Sequence, residues 1–424
     1  LLLKGARQVG KTFSLKKFGK EFFKSCHYIN FEKDDQVKKV FASDLVPQRI
    51  INELSFYLNT SIDLHNDLII LDEIQHCPRA LTSLKYFAEE LPFTAICSAG
   101  SLLGVHLAET NFPVGKIDFL NLYPLSFEEF LQGIGKDALY TQVHNLNMLS
   151  PQSELIHASL WELLKLYFVI GGLPEVVTTY KNTQTNMYDA LNAVRENQNA
   201  LIIAYLADIA KHSGKENSMH IERVWQSIPA QLSRTHDGSS SKFKFKGVVP
   251  GIKGFNRLSG AIDWLKAAGL IIQTSIINRA ALPLKAYQKD NFFKLYSADV
   301  GLLGALSGLP PKTIFEYDYG SYKGYFAENF IAQEFLAHGL DTFFCWQERT
   351  AELEFVQQYE GEILPIEVKS GWVTRAKSLN VFAEKYHPPF KTIMSGRNIS
   401  IDKQHKTYKI PIYLASKFPM LLSL

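Results

Sequence analysis

The chain opens Leu1-Leu2-Leu3-Lys4, Gly5-Ala6-Arg7-Gln8-Val9-Gly10-Lys11-Thr12, and the reading of this stretch decides the fold. A short apolar run, a loop opened and closed by glycine, and Lys-Thr at the mouth of a helix predicted to reach residue 23 form the G-x-x-x-x-G-K-[ST] phosphate loop in the context it requires. Gly5 and Gly10 permit backbone angles that bend the loop around phosphates, so its N–H groups and the helix N-terminus converge on one anion. Gly5, Ala6, Arg7, Gln8, Val9, Gly10, Lys11 and Thr12 are therefore the expected nucleotide-binding set. Within it Lys11 reaches the β and γ phosphates of ATP, and the Thr12 hydroxyl holds Mg²⁺. The alternative, a glycine-rich turn that caps a helix, is outweighed by that context.

Working outward, residues 26–31 alternate as a strand, and 34–58 carry helical periodicity interrupted near Pro47. Asn66-Asp67 then introduces Leu68-Ile69-Ile70-Leu71-Asp72-Glu73, a buried parallel strand that delivers two carboxylates at its C-terminal tip. That is where ligands bind in doubly wound sheets. Asp72 is expected to hold Mg²⁺, and Glu73 to orient or deprotonate the attacking water. Pro78 opens the next helix, and residues 93–98 give a further strand ending in Ser98-Ala99-Gly100-Ser101. Ser101 or Ser98 can sense the γ phosphate there, or serve only as a helix N-cap. Residues 116–122 make a last strand, and Ser126-Phe127-Glu128-Glu129 is a capping box. Strands alternating with helices around a phosphate loop imply an α/β domain with a three-layer parallel sheet.

The whole chain sets the bounds. Its 424 residues exceed what one core supports. The reading divides them into a P-loop domain over 1–150, a helical connector over 151–215, a winged-helix-like domain over 216–310 and a nuclease-like domain over 311–424. A hydrophobic fraction of 46% with 21% charged residues is ordinary globular composition, and a net charge of +3 is too small to argue nucleic-acid binding from the total. Cys26, Cys77, Cys97 and Cys345 lack metal or disulfide spacing, as in a reduced cytoplasmic protein. No apolar run reaches membrane-spanning length, so no membrane partner is expected. The start, without methionine, reads as truncated ahead of the first strand.

Gly-Ala-Arg-Gln-Val-Gly-Lys-Thr, the Leu71-Asp72-Glu73-Ile74-Gln75 segment and Tyr123-Pro124-Leu125-Ser126-Phe127-Glu128-Glu129-Phe130 resemble bacterial and archaeal AAA-type ATPases with a C-terminal domain of unassigned function. The Gly171-Gly172-Leu173-Pro174 turn is similar to one in the same family. The resemblance implies ATP and Mg²⁺ as ligands, and homo-oligomers whose sites are completed by a neighbour's arginine. Members often carry Gly-Arg before the last strand, whereas this chain has Gly115-Lys116, and lysine lacks the planar bidentate fork.

Helices are expected over 221–232 and 259–268, followed by strands over 270–276 and 292–296. That is the layout of a winged helix, a module that binds DNA or serves as a protein contact. Lys242, Lys244, Lys246, Lys253 and Arg257, interleaved with Phe243, Phe245 and Phe255, can track phosphates or protect an edge strand. Further on, Glu360-Gly361 reads as a two-residue hairpin loop with Tyr359 facing Glu362. This register sets Glu354 opposite Glu367 and Glu352 opposite Lys369, with Leu353, Phe355, Ile366 and Val368 on the other, buried face. The arrangement resembles the PD-(D/E)xK nuclease core. That resemblance assigns Glu354 as first acid, Glu367 and Lys369 as the second pair, and Glu328 as a fourth member. The first acid is usually aspartate; glutamate reaches one methylene further.

Together these readings describe an Mg²⁺-dependent AAA-type ATPase controlling a C-terminal half that binds DNA or a partner protein. The alternative is an ATP-gated, metal-dependent DNA nuclease.

Overall fold

The computed structural model describes residues 1–100, 115–146, 150–183, 186–236, 242–372 and 375–420. They form two compact units: Leu1–Tyr123 with Ala267–Gly269, and Pro124–Lys266 with Leu270–Leu424.

The first unit is built on a five-stranded sheet of order β2-β3-β4-β1-β5, from β1 (Leu2–Lys4), β2 (Ser25–Asn30), β3 (Asp67–Asp72), β4 (Ala95–Ala99) and β5 (Phe119–Asn121). Every ladder is parallel. The connections carry α1 (Lys11–Phe22), α2 (Pro47–Leu58) and α3 (Pro78–Glu90), as the alternating periodicities require. Every residue of β3 is buried. Leu68, Ile69, Ile70 and Leu71 each remove a whole aliphatic side chain from water, worth roughly 1.5–3 kcal/mol apiece. Apolar residues on both sides of the strand explain why it reads as a continuous run rather than an alternation. Leu2, Ile69 and Leu71 pack in one cluster with Ile50, Leu54, Leu81 and Phe87, while Leu3, Leu15, Leu68 and Ile70 pack in another. β1 lies between β4 and β5, so the loop leaving its C-terminal end opens beside the tip of the sheet.

The second unit begins with helices. Ser126 caps the helix Phe127–Gly133 as the capping box predicts: its Oγ accepts from the Glu129 N–H at 3.4 Å, and Glu129 Oε2 accepts from the Ser126 N–H at 2.8 Å. Helices Glu154–Ile170, Pro174–Asn182, Met187–Ser213 and Lys215–His236 follow. Gly171 and Gly172 make the turn between the first two of these. A Cβ at Gly172 would lie 2.1 Å from the Leu125 carbonyl oxygen, so only glycine fits there. The Gly172 N–H donates to the buried Asp299 carboxylate at 2.7 Å, and burial pushes Asp299 up to about 6.

An eight-stranded mixed sheet completes the unit, in the order β12-β13-β11-β10-β9-β8-β6-β7. Its strands are β6 (Ile271–Ile277), β7 (Phe293–Ser297), β8 (Phe343–Glu348), β9 (Ala351–Tyr359), β10 (Glu362–Val368), β11 (Lys391–Ser395), β12 (Ser400–Asp402) and β13 (Thr407–Pro411). The antiparallel pair β6/β7 stands where the wing of a winged helix is expected, and it joins the larger sheet because β6 runs parallel to β8. The sheet thus spans the expected boundary near residue 310. Phe243 and Phe245 are buried against Phe293 of β7, so these two aromatics fill core rather than offering stacking surfaces to bases, while Phe255 packs half-buried at their edge.

Helices Lys323–Ala337 and Lys377–Tyr386 pack on this sheet. Leu379 and Phe382 of the second join Trp346, Leu353 and Val356, whereas Phe335 of the first lies against Phe343 and Phe355.

Candidate nucleotide site and C-terminal carboxylate cluster

The loop between β1 and α1 takes the shape the sequence demands. Gly5 (φ 147°) and Gly10 (φ 95°) occupy backbone conformations that favour glycine, and Gln8 (φ 63°) is also left-handed. A Cβ at Gly5 would fall 2.1 Å from the Leu122 carbonyl oxygen. Ala6 and Val9 are buried and anchor the loop, and Arg7 forms an ion pair with Glu32 at 3.6 Å. Lys11 is buried, and its Nζ donates to the carbonyls of Gly5 (3.0 Å) and Ala6 (2.7 Å). Burial pushes its ammonium down to about 8, against the pull of Glu73 and Asp72.

Thr12 and Asp72, sixty residues apart in sequence, meet here. Thr12 Oγ donates to Asp72 Oδ2 at 2.7 Å, and the Glu73 N–H donates to Asp72 Oδ1 at 3.0 Å. Asp72 is only 2% exposed, held at the end of β3 by its ladder with Asn30 of β2. A hydroxyl and a carboxylate joined in this way fit the donor set for a hard divalent cation, which takes oxygen ligands and keeps much of its water. Glu73 follows in a left-handed conformation (φ 51°) that turns the chain off the strand, and its Oε2 accepts from Gln75 Nε2 at 2.6 Å. Ligand atoms of Glu32, Glu73 and His76 lie within 4.8 Å of one another. Among the described residues no other group of three or more metal-capable side chains gathers as closely.

Of the two candidate γ-phosphate sensors, Ser101 lies outside the described residues. Ser98 is buried within β4, its Oγ without a hydrogen-bond partner among the described residues. Lys116 is exposed and lies 3.7 Å from Glu89.

Sequence reasoning missed Tyr28 in this site. Its hydroxyl donates to Asp72 Oδ2 at 2.8 Å and accepts from Asn30 Nδ2 at 3.1 Å. Lys16 Nζ sits 3.5 Å from the centre of its ring. Burial pushes the phenol up to about 12, so it stays a donor at neutral pH. The alternation over 26–31 put Tyr28 and Asn30 on one face, but nothing in the sequence told which face meets β3's acid.

In the second unit the hairpin turn is as expected. Glu360 (φ 49°) and Gly361 (φ 83°) are both left-handed, as a type I′ turn requires, and Tyr359 pairs with Glu362. The ladder runs on to Ile366 opposite Phe355 and stops there. The expected pairs Glu354/Glu367 and Glu352/Lys369 therefore lie beyond it. The cause is a β-bulge: Phe344 pairs with Val356 but Trp346 with Leu353, so Glu354 and Phe355 share the place opposite Cys345. The extra residue breaks the period of two. Leu353 joins the Trp346–Phe382 cluster while the Phe355 ring meets Phe335 and Tyr296, so the two do not share the expected face. Glu354 is re-aimed, and its Oε2 accepts from the Val368 N–H at 2.9 Å.

Around this bulge the acids find lysines. Lys369 Nζ pairs with Glu367 Oε1 at 2.5 Å. Glu328, on the helix Lys323–Ala337, accepts at Oε2 from Lys294 Nζ (3.4 Å) and the Tyr296 hydroxyl (3.1 Å). Lys294, nearly fully buried, also meets Glu352 Oε1 at 2.7 Å. Burial, then the neighbouring Glu367 and Glu328 carboxylates, push Glu354 up; burial likewise raises Glu367. Lys294 and Tyr296 of β7 were missed because the acids they meet, Glu328 and Glu352, lie on later elements with no local pattern linking them to β7.

Comparison with known proteins agrees with the first unit and leaves the second unassigned. Residues 1–131 match a family model described as AAA domain. Residues 162–313 and 323–414 match models described as Domain of unknown function (DUF8612) and Domain of unknown function (DUF4143). No curated protein matches the chain. Among solved structures, a Walker-type ATPase of Pyrococcus abyssi is 17% identical, with a TM-score of 0.45 over 72% of this chain and 90% of that one. The Orc1 protein of Aeropyrum pernix in complex with DNA is 15% identical, with a TM-score of 0.23 over 74% of this chain and 87% of that one. Cdc6p from Pyrobaculum aerophilum is 14% identical, with a TM-score of 0.22 over the same shares. Among the described residues no helix is long and apolar enough to cross a membrane. The all-parallel sheet, its phosphate loop and the family match over residues 1–131 together make the N-terminal part of this chain an AAA-like domain of the P-loop ATPase type.

Proposed function

We propose that the protein is an Mg²⁺-dependent ATPase whose nucleotide cycle controls its C-terminal half, through which it engages DNA or a partner protein. The observation that carries the reading is the contact of Thr12 with Asp72, with Glu73 beside it and the Lys11 ammonium at the same loop. In this reading the backbone N–H groups of residues 5–12 and the α1 N-terminus bind the phosphates, and Lys11 offsets charge on the β and γ groups. Thr12 and Asp72 would hold Mg²⁺, which supplies electrostatic stabilisation of the transferring phosphoryl group. Glu73 orients the attacking water and takes its proton, the task its place one residue beyond Asp72 suits. Glu73→Gln then binds nucleotide but does not hydrolyse it, and Lys11→Ala does neither; parent-like hydrolysis in either variant would refute the assignment. ATPase rates across protein concentration, with and without DNA, test self-assembly and the DNA partner together.

A second reading rests on charge. The C-terminal cluster holds four carboxylates, Glu328, Glu352, Glu354 and Glu367, against two ammonium groups, Lys294 and Lys369. A divalent cation would displace the protons that burial favours on Glu354 and Glu367 and supply the metal of a DNA nuclease, with Glu328, Glu354 and Glu367 as ligands drawn closer together than they lie in this structure and Lys369 beside the attacked phosphate. Cleavage of DNA with Mg²⁺ or Mn²⁺, lost in Glu367→Ala, supports it; no cleavage in any nucleotide state removes it.

A further inference from the structure

We infer that Tyr28 is a positioning residue for the cation site, holding the Asp72 carboxylate in the orientation that Mg²⁺ requires. The inference rests on the ATPase reading above and adds a residue that no phosphate-loop motif contains.

The geometry is a clamp on one carboxylate. Asp72 Oδ2 accepts two hydroxyl hydrogen bonds, from Thr12 at 2.7 Å and Tyr28 at 2.8 Å, while Oδ1 accepts the Glu73 N–H at 3.0 Å. Three donors from α1, β2 and the end of β3 fix both torsions of a side chain otherwise free to rotate. Tyr28 is itself held from two sides. Asn30, two residues on and therefore on the same strand face, donates to its oxygen at 3.1 Å, and Lys16 Nζ lies 3.5 Å from its ring centre. Lys16 follows Thr12 by four residues and so shares its helix face. The helix that follows the phosphate loop thus touches Asp72 directly through Thr12 and indirectly through Lys16 and Tyr28.

Mg²⁺ demands near-ideal octahedral geometry and dehydrates reluctantly, so a carboxylate that serves it, directly or through water, has to be aimed before the ion arrives. Tyr28→Phe deletes one hydroxyl and leaves the ring, its packing and the Lys16 contact in place. A hydrogen bond to a charged group contributes about 1.5–3 kcal/mol, which corresponds to roughly a tenfold or greater change in an equilibrium.

The experiment measures affinity for a fluorescent ATP analogue against Mg²⁺ concentration, together with the Mg²⁺ dependence of phosphate release. In EDTA, wild type and Tyr28→Phe should bind the analogue within twofold, because the phosphate loop is untouched. With Mg²⁺, the variant should need about ten times more ion for half of the gain in affinity and for half-maximal hydrolysis, with kcat recovered at saturating ion. Superimposable Mg²⁺ curves overturn the inference. So does weakened binding in EDTA, which would make Tyr28 a general support of the loop. A wild type that binds the analogue with Mg²⁺ dependence but releases no phosphate refutes the hydrolytic reading and leaves the clamp to be judged by the binding curves alone.

Discussion

Glu334 offers a quantitative test of the second unit's packing. This residue of the helix Lys323–Ala337 is fully buried; its Oε1 accepts from the Phe127 N–H at 2.9 Å, and its Oε2 has no partner among the described residues. Burial pushes its carboxyl up to about 8, opposed by the Phe127 N–H and Lys417 and reinforced by Glu128 and Glu129. In an unfolded chain a glutamate titrates near 4.3. The folded state therefore holds a proton that the unfolded state has already released, and stability falls as pH rises between those two values. The contribution is complete below about pH 4.3 and lost as pH passes about 8. Glu334→Gln keeps the acceptor for Phe127 and removes the titration. Each pH unit shifts the difference between the two proteins by about 1.4 kcal/mol, so from pH 5 to 7.5 the variant should gain about 3 kcal/mol on wild type. Other groups titrate in both proteins and cancel. Urea unfolding followed by tryptophan fluorescence reads the right unit, because Trp161, Trp225, Trp264, Trp346 and Trp372 all lie in it. Parallel stability curves, or wild type gaining on the variant as pH rises, would refute the reasoning.

Two further outcomes follow from close contacts. Gly5→Ala places a methyl 2.1 Å from the Leu122 carbonyl at a φ that side chains rarely adopt, so the loop must move, and affinity for an ATP analogue should fall tenfold or more by fluorescence titration. Unchanged affinity would contradict the loop geometry. Lys294→Met leaves Glu328 and Glu352 without their shared ammonium, and breaking such a buried pair costs about 3–5 kcal/mol, readable in the same urea titration. Unchanged stability would mean that the cluster does not carry the ionised carboxylates described above.

What could be read in advance divides along physical lines. The phosphate loop, the buried β3 and the capping box at Ser126 are local codes: glycine angles, a run of aliphatic residues and a Ser-x-x-Glu spacing each act within a few residues. The first two place Thr12 against Asp72 in the first unit, and the third opens the first helix of the second unit. The hairpin turn at Glu360-Gly361 was equally local. Extrapolating its register inward failed at Glu354, because a bulge inserts a residue for reasons that lie in the neighbouring strand β8. Tyr28, Lys294 and Tyr296 were invisible for a related reason: each meets its carboxylate on another element, Tyr28 on a neighbouring strand and the other two on the helix that carries Glu328, and alternation fixes a side chain's face only up to an inversion. The lysine-and-phenylalanine stretch near residue 243 reads on composition either as a phosphate-tracking surface or as a protected edge, and composition could not tell that Phe243 and Phe245 close a core around Phe293.

The most direct test of the central claim is phosphate release from Mg²⁺·ATP by wild type, Lys11→Ala and Glu73→Gln, with analogue binding measured in parallel. The account predicts hydrolysis by wild type that requires Mg²⁺, loss of both binding and hydrolysis in Lys11→Ala, and retained binding with a rate lowered about a hundredfold or more in Glu73→Gln. Hydrolysis by Glu73→Gln at the wild-type rate, or a wild type that binds no nucleotide, would contradict it.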